Sequence, residues 1–84
     1  VRMPQRFMRG LKAHRKMRER AVLDRIERGD RTITEMVQAI YRDTDPRLHG
    51  AAALSVLAHL EDLVARGAVT TENDPSIDAI YFPG

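Results

Sequence analysis

The 84-residue sequence has no cysteine and no tryptophan, and only two tyrosines and two phenylalanines. Without cysteine there can be no disulfides, thiolate metal sites or cysteine nucleophiles, and the lack is compatible with a cytoplasmic home. No apolar run approaches the roughly 18 residues that span a bilayer, so no membrane partner is expected. The basic N-terminus is not followed by an apolar h-region and does not read as a signal peptide. A chain this short makes one domain and buries only about 60% of its unfolded surface. A core and a separate catalytic cleft are hard to build from so little. What remains is an ordinary globular composition, 43% hydrophobic and 31% charged. The chain starts at Val1 rather than methionine, which fits a piece of a longer protein.

Charge is plentiful but unevenly placed. Residues 1–31 hold 11 Lys and Arg against four acids, whereas residues 32–84 hold three Arg against eight acids. The halves therefore carry formal charges of +7 and −5, so the two ends face different partners or each other.

Residues 1–10 read as a basic linker or helix lead-in and residues 11–84 as one domain. A first helix is expected over 10–28, which avoids proline and is rich in helix formers, with Gly29 at its C-cap. Residues 31–33 read as a short extended segment. Thr34 is then the N-cap of a second helix over 35–41. Asp45 caps and Pro46 opens a third helix that ends at Arg66 and Gly67. Its residues Ala53, Val56, Leu57, Leu60, Leu63 and Val64 recur at helical spacing. Residues 68–71 and 77–82 read as strands, joined by turn chemistry at 72–76. The order describes a mainly α (α+β) winged helix: a three-helix helix-turn-helix core with a small β-hairpin wing.

The first helix is longer than its core stripe. Val22, Ile26 and Leu23 form the buried face, but the same face carries Arg18 and Arg15 further back, then Leu11 and Met8. Two arginines on an inward stripe need partners, and Asp43 or Asp45 are the expected ones. An exposed cluster of Phe7, Met8 and Leu11 among basic residues reads as a docking element. Lys12, Arg15 and Arg18 are the candidate phosphate-facing or ion-pairing groups.

No catalytic constellation is visible. His14, His49 and His59 lack metal-ligand spacing, and Ser55 has no motif that supplies a base. His59, at the edge of the apolar stripe, is expected to satisfy a nearby carbonyl. Tyr41 reads as core with its hydroxyl bonded at the rim. Helix three turns Ala51, Ser55, His59, Asp62 and Arg66 outward, and Ser55 and His59 are its candidate surface residues. The wing carries Glu72, Asp74 and Asp78. Neither surface suits a polyanion, so duplex DNA is a disfavoured partner.

Three residue clusters point to a family. They are His14-Arg15, Arg18-Glu19, Val22-Leu23 and Gly29; Thr34, Met36-Val37 and Ile40-Tyr41; and Leu48-His49, Ala52, Ser55-Val56, Ala58-His59-Leu60, Leu63 and Gly67. Together they resemble the winged-helix domain at the C-terminus of metallo-β-lactamase-fold hydrolases. The resemblance implies a non-catalytic accessory domain that packs on a catalytic domain of the same polypeptide and helps shape or cover its substrate entrance. That catalytic domain would hold two metal ions, usually zinc, on a histidine motif absent from this chain, so no catalytic or metal residue carries over. Some relatives hydrolyse single-stranded RNA, which makes RNA on the basic first helix an expected partner. A homodimer is a further one. Asp62 departs from the basic residue of the family pattern. Two alternatives stand beside this reading: a free-standing DNA-binding regulator and a pure protein-interaction winged helix.

Overall fold

The computed structural model describes the backbone of residues 5–84 and the side chains from Arg15 onward. The expectations for Phe7, Met8, Leu11 and Lys12 therefore lie outside the described side chains. Helix α1 spans Gln5–Glu27, α2 spans Ile33–Ile40 and α3 spans His49–Ala65, with a 3-10 turn at Pro46–Leu48 leading into α3. Strands β1 (Val69–Thr71) and β2 (Tyr81–Pro83) pair antiparallel, with Thr70 opposite Phe82. Three helices and a hairpin in this order form a winged helix.

The three helices meet on the faces that the apolar periodicity marks. Val22 and Ile26 of α1, Ile33, Met36 and Val37 of α2, and Ala52, Val56, Leu60 and Leu63 of α3 are buried, together with Val69 and Tyr81 of the wing. Leu23, Ala53, Leu57 and Val64 close the rim of this core as partly buried residues. Truncating a fully buried member such as Leu60 to alanine costs about 2–5 kcal/mol, because the site cannot collapse onto the cavity.

Both long helices end the same way. Asp30 N donates to Arg25 O at 2.9 Å and Gly29 N to Ile26 O at 3.1 Å, while Ala68 N donates to Leu63 O at 2.9 Å and Gly67 N to Val64 O at 3.0 Å. Each pair is a Schellman closure, which requires a left-handed residue after the helix. Glycines with φ of 111° and 79°, at 29 and 67, supply it.

Several boundaries differ from the sequence reading. The N-cap of α2 is Thr32, not Thr34, and Ile33 is helical rather than extended. Thr32 and Glu35 form a reciprocal capping box, which satisfies two orphan donors and outcompetes a single-sided cap two residues later. The extended segment before α2 reduces to one backbone hydrogen bond with the hairpin, Tyr81 N donating to Arg31 O at 2.8 Å. The second strand begins at Tyr81 instead of residue 77, since Ala79 N turns back to Ser76 O. Helix α1 also begins earlier than residue 10. Finally, Pro46–Ala65 has a mean hydropathy of 1.2 and is long and apolar enough to cross a membrane by composition alone, contrary to the reading that no such run exists. It packs four buried residues into the core, and its apolarity comes from an outer face without charge between Arg47 and Glu61 as well as an apolar inner one.

Candidate functional site

The seam between α1 and α3 gathers residues that the sequence reading singled out on separate helices. Arg15 and Arg18 from α1 and Ser55, Ala58, His59 and Asp62 from α3 line one shallow groove of about 360 Å³. A second depression of about 340 Å³ shares Arg15 and Asp62 and adds Lys16, Glu19 and Arg66. Helical geometry explains the gathering. Arg15 and Arg18 sit three residues apart, and Ser55, His59 and Asp62 recur at three- and four-residue steps, so each set occupies one face.

The acids of this seam are already engaged. Arg66 bridges Asp62, at 2.8 Å, and Glu19 of α1, and those two carboxylates hold its guanidinium pKa above the ordinary arginine value. Arg15 and Arg18, by contrast, have no carboxylate partner among the described residues. The groove is thus a place where two guanidinium groups, a hydroxyl and an imidazole meet while both nearby carboxylates are engaged by Arg66. Such a set can hold an oxyanion by charge and hydrogen bonding. Ser55 has no hydrogen-bonded base among the described residues.

The expected pairing of Arg15 and Arg18 with Asp43 or Asp45 does not occur. Asp45 caps the 3-10 turn by accepting from Arg47 N at 2.9 Å and pairs with the Arg47 side chain at 2.7 Å. That environment holds its carboxyl below the usual range, first through the Arg47 side chain and then through the Arg47 backbone. Arg18 instead stacks on Tyr41, its guanidinium carbon 4.7 Å from the ring centroid. The arginines need no buried carboxylate because they lie exposed at the edge of the core. His59 likewise has no carbonyl partner among the described residues. The histidine that bonds a carbonyl is His49, whose Nε2 lies 3.1 Å from Tyr41 O. No Tyr41 hydroxyl bond occurs among the described residues, and its ring is the platform for Arg18.

Sequence reasoning marked Ala51, Ser55 and His59 on the outer face of α3 but missed its exposed leucines. Leu48 and Leu54 are more than half exposed, at 56% and 62%, and Ala51, Ser55 and Ala58 lie exposed beside them. No charged side chain occurs between Arg47 and Glu61. The signal was present as a charge-free stretch of a helix whose inner stripe was already complete. A family model described as the beta-lactamase associated winged helix domain matches residues 32–78, more than half of the chain.

Proposed function

The chain belongs to the beta-lactamase associated winged helix family, and from that premise we propose that it serves a β-lactamase-fold metallo-hydrolase as a non-catalytic accessory domain. In this reading the outer face of α3 before Glu61, which carries no charged side chain, docks on the catalytic domain. The adjoining α1–α3 groove then faces the substrate entrance, where it holds the phosphate backbone of single-stranded RNA or a similar anionic substrate. The observation that carries the proposal is the groove itself: Arg15, Arg18, Ser55 and His59 share one concave surface that borders the exposed Leu54 turn.

Charge supports this reading over a DNA-reading regulator. A recognition helix in the major groove needs cations that are free to meet phosphates. On α3 the only arginine, Arg66 at its C-cap, is committed to Glu19 and Asp62, and the wing presents Glu72, Asp74 and Asp78. A face of Leu48, Ala51, Leu54 and Ala58 suits an apolar protein surface instead.

The docking half of the proposal is tested with Leu54→Asp, because Leu54 is exposed and its replacement leaves the core intact. Binding of this chain to a β-lactamase-fold catalytic domain of the same family, followed by calorimetry, should weaken about tenfold or more. Unchanged affinity would remove α3 as the docking face.

A further inference from the structure

The wing forms a second concave surface that shares no residue with the α1–α3 groove. Its floor is Ala79, Ile80 and Phe82, its rim includes Glu72, Asp74 and Asp78, and it encloses about 340 Å³. Ile80 is 52% exposed and Phe82 39%, so the apolar floor is open to solvent. None of the three acids has an ion-pair partner among the described residues, and no Lys or Arg follows Arg66.

The cleft is held in shape from below. The buried Tyr81 hydroxyl donates to Ser76 O at 2.7 Å and accepts from Ser76 N at 3.0 Å. Thr71 Oγ1 donates to Ile80 O at 2.7 Å across the hairpin, and Tyr81 N is tied to Arg31 O. Arg31 also lies over the Phe82 ring, 5.4 Å from its centroid, fixing the one aromatic of the floor. A cleft with fixed walls loses little entropy when it is filled.

We propose that this cleft receives residues 1–14 of a second copy of the chain. That segment is the wing's complement in composition: Arg2, Arg6, Arg9 and Lys12 with no acid, and Phe7, Met8 and Leu11 as apolar anchors. The cleft offers three acids without an ion-pair partner among the described residues, beside an apolar floor. The opposed charges of the two halves of the chain find their use here, the basic end of one copy meeting the acidic end of its partner. Reciprocal exchange buries both patches twice in a closed, two-fold pair. It leaves Arg15, Arg18, Ser55 and His59 outside the contact, so anion holding by the α1–α3 groove is separable from pairing.

The test is sedimentation velocity of the full 84-residue chain over a wide concentration range, at low and at high salt. The wild type should show a concentration-dependent dimer that weakens as salt is added. The wing variant E72K/D74K/D78K should raise the dimer dissociation constant about tenfold or more, and so should R6E/R9E/K12E. An equimolar mixture of the two variants should restore a dimer, because each wing then meets a segment of opposite sign. The three wing positions are exposed, and circular dichroism verifies that both variants stay folded. A wild type that is monomeric throughout, as it would be if the segment folded back on its own wing, overturns the proposal. So does a dimer that the wing variant leaves intact. Neither result touches the docking of α3 or the binding of RNA.

Discussion

Arg18 of α1 stacks on the ring of Tyr41, the residue that closes α2, with 4.7 Å between guanidinium carbon and ring centroid. The stack holds a cation at the lip of the groove without matching its charge, because the ring's electron-rich face attracts the guanidinium and leaves its N–H edges free to donate. Replacing Tyr41 by leucine keeps the apolar volume and removes the platform. The expected result is a loss of about two- to fivefold in affinity for single-stranded RNA, the equivalent of an exposed cation–π contact. Fluorescence anisotropy measures it, and an unchanged affinity would show that the stack does not position Arg18 for binding.

The capping box at Thr32 and Glu35 makes stability sensitive to acid. Glu35 Oε1 accepts from Arg31 N and Thr32 N, each at 3.0 Å, and from Thr32 Oγ1 at 3.1 Å. The Arg31 backbone first, then the Thr32 backbone and hydroxyl, hold its carboxyl below the usual glutamate range. The folded state therefore binds this proton less readily than the unfolded chain. The resulting stability is present above the ordinary carboxyl range and is lost as pH falls through the folded-state pKa. Glu35→Gln should flatten the acid side of the stability curve, which urea titrations at several pH values will show. Thr32→Ala removes the reciprocal half of the cap and should cost about 1 kcal/mol, or roughly 4–8 °C in Tm for a domain of this size. If acid sensitivity is identical in Glu35→Gln and wild type, the box is not its source.

At the alkaline end Tyr81 is the group whose titration opposes the fold. Its side chain is fully buried, and burial pushes the phenol pKa up, more than the Ser76 backbone bond pulls it down. A raised pKa means that the stability is present below the ordinary tyrosine range and is lost as pH rises through it, when the phenolate must be exposed to form. Tyr81→Phe should remove that alkaline transition. At neutral pH the same change should cost about 1 kcal/mol, since the Ser76 carbonyl and N–H lose their partner. Thermal melts from neutral pH upward separate the two effects, and an alkaline transition that persists in Tyr81→Phe would assign it elsewhere.

Much of the architecture could be read from periodicity. The Val22–Ile26 stripe and the Val56, Leu60 and Leu63 series lie where helical spacing marked them, and the glycines at 29 and 67 close α1 and α3 as C-cap chemistry requires. The misplaced cap at Thr34 had its corrective in the sequence, since Thr32 stands three residues before Glu35, the spacing of a capping box. The premature start of β2 came from the apolar positions Ile77 and Ile80, which mimic a strand. The turn of Ala79 N back to Ser76 O and the contacts of Tyr81 with Arg31 and Ser76 make pairing begin later. The candidate groove was legible as residues but not as a site: Arg15, Arg18, Ser55 and His59 were each marked, yet their meeting depends on how α1 crosses α3. Sequence order carries no information on that crossing. The pairing assigned to Asp45 failed for a related reason. A carboxylate two residues before an arginine in a 3-10 turn finds that neighbour before any distant helix can reach it.

The most direct measurement is the affinity of the wild type and the R15E/R18E variant for fluorescent single-stranded RNA across a salt titration. The account expects wild-type binding whose logarithm falls linearly with the logarithm of salt, with a slope of about −0.7 for each phosphate held. In R15E/R18E, where both exposed side chains are replaced without disturbing the core, that binding and its salt dependence should be lost. Wild-type binding that the double variant retains, or no RNA binding even at low salt, would contradict the claim that the α1–α3 groove holds an anionic substrate.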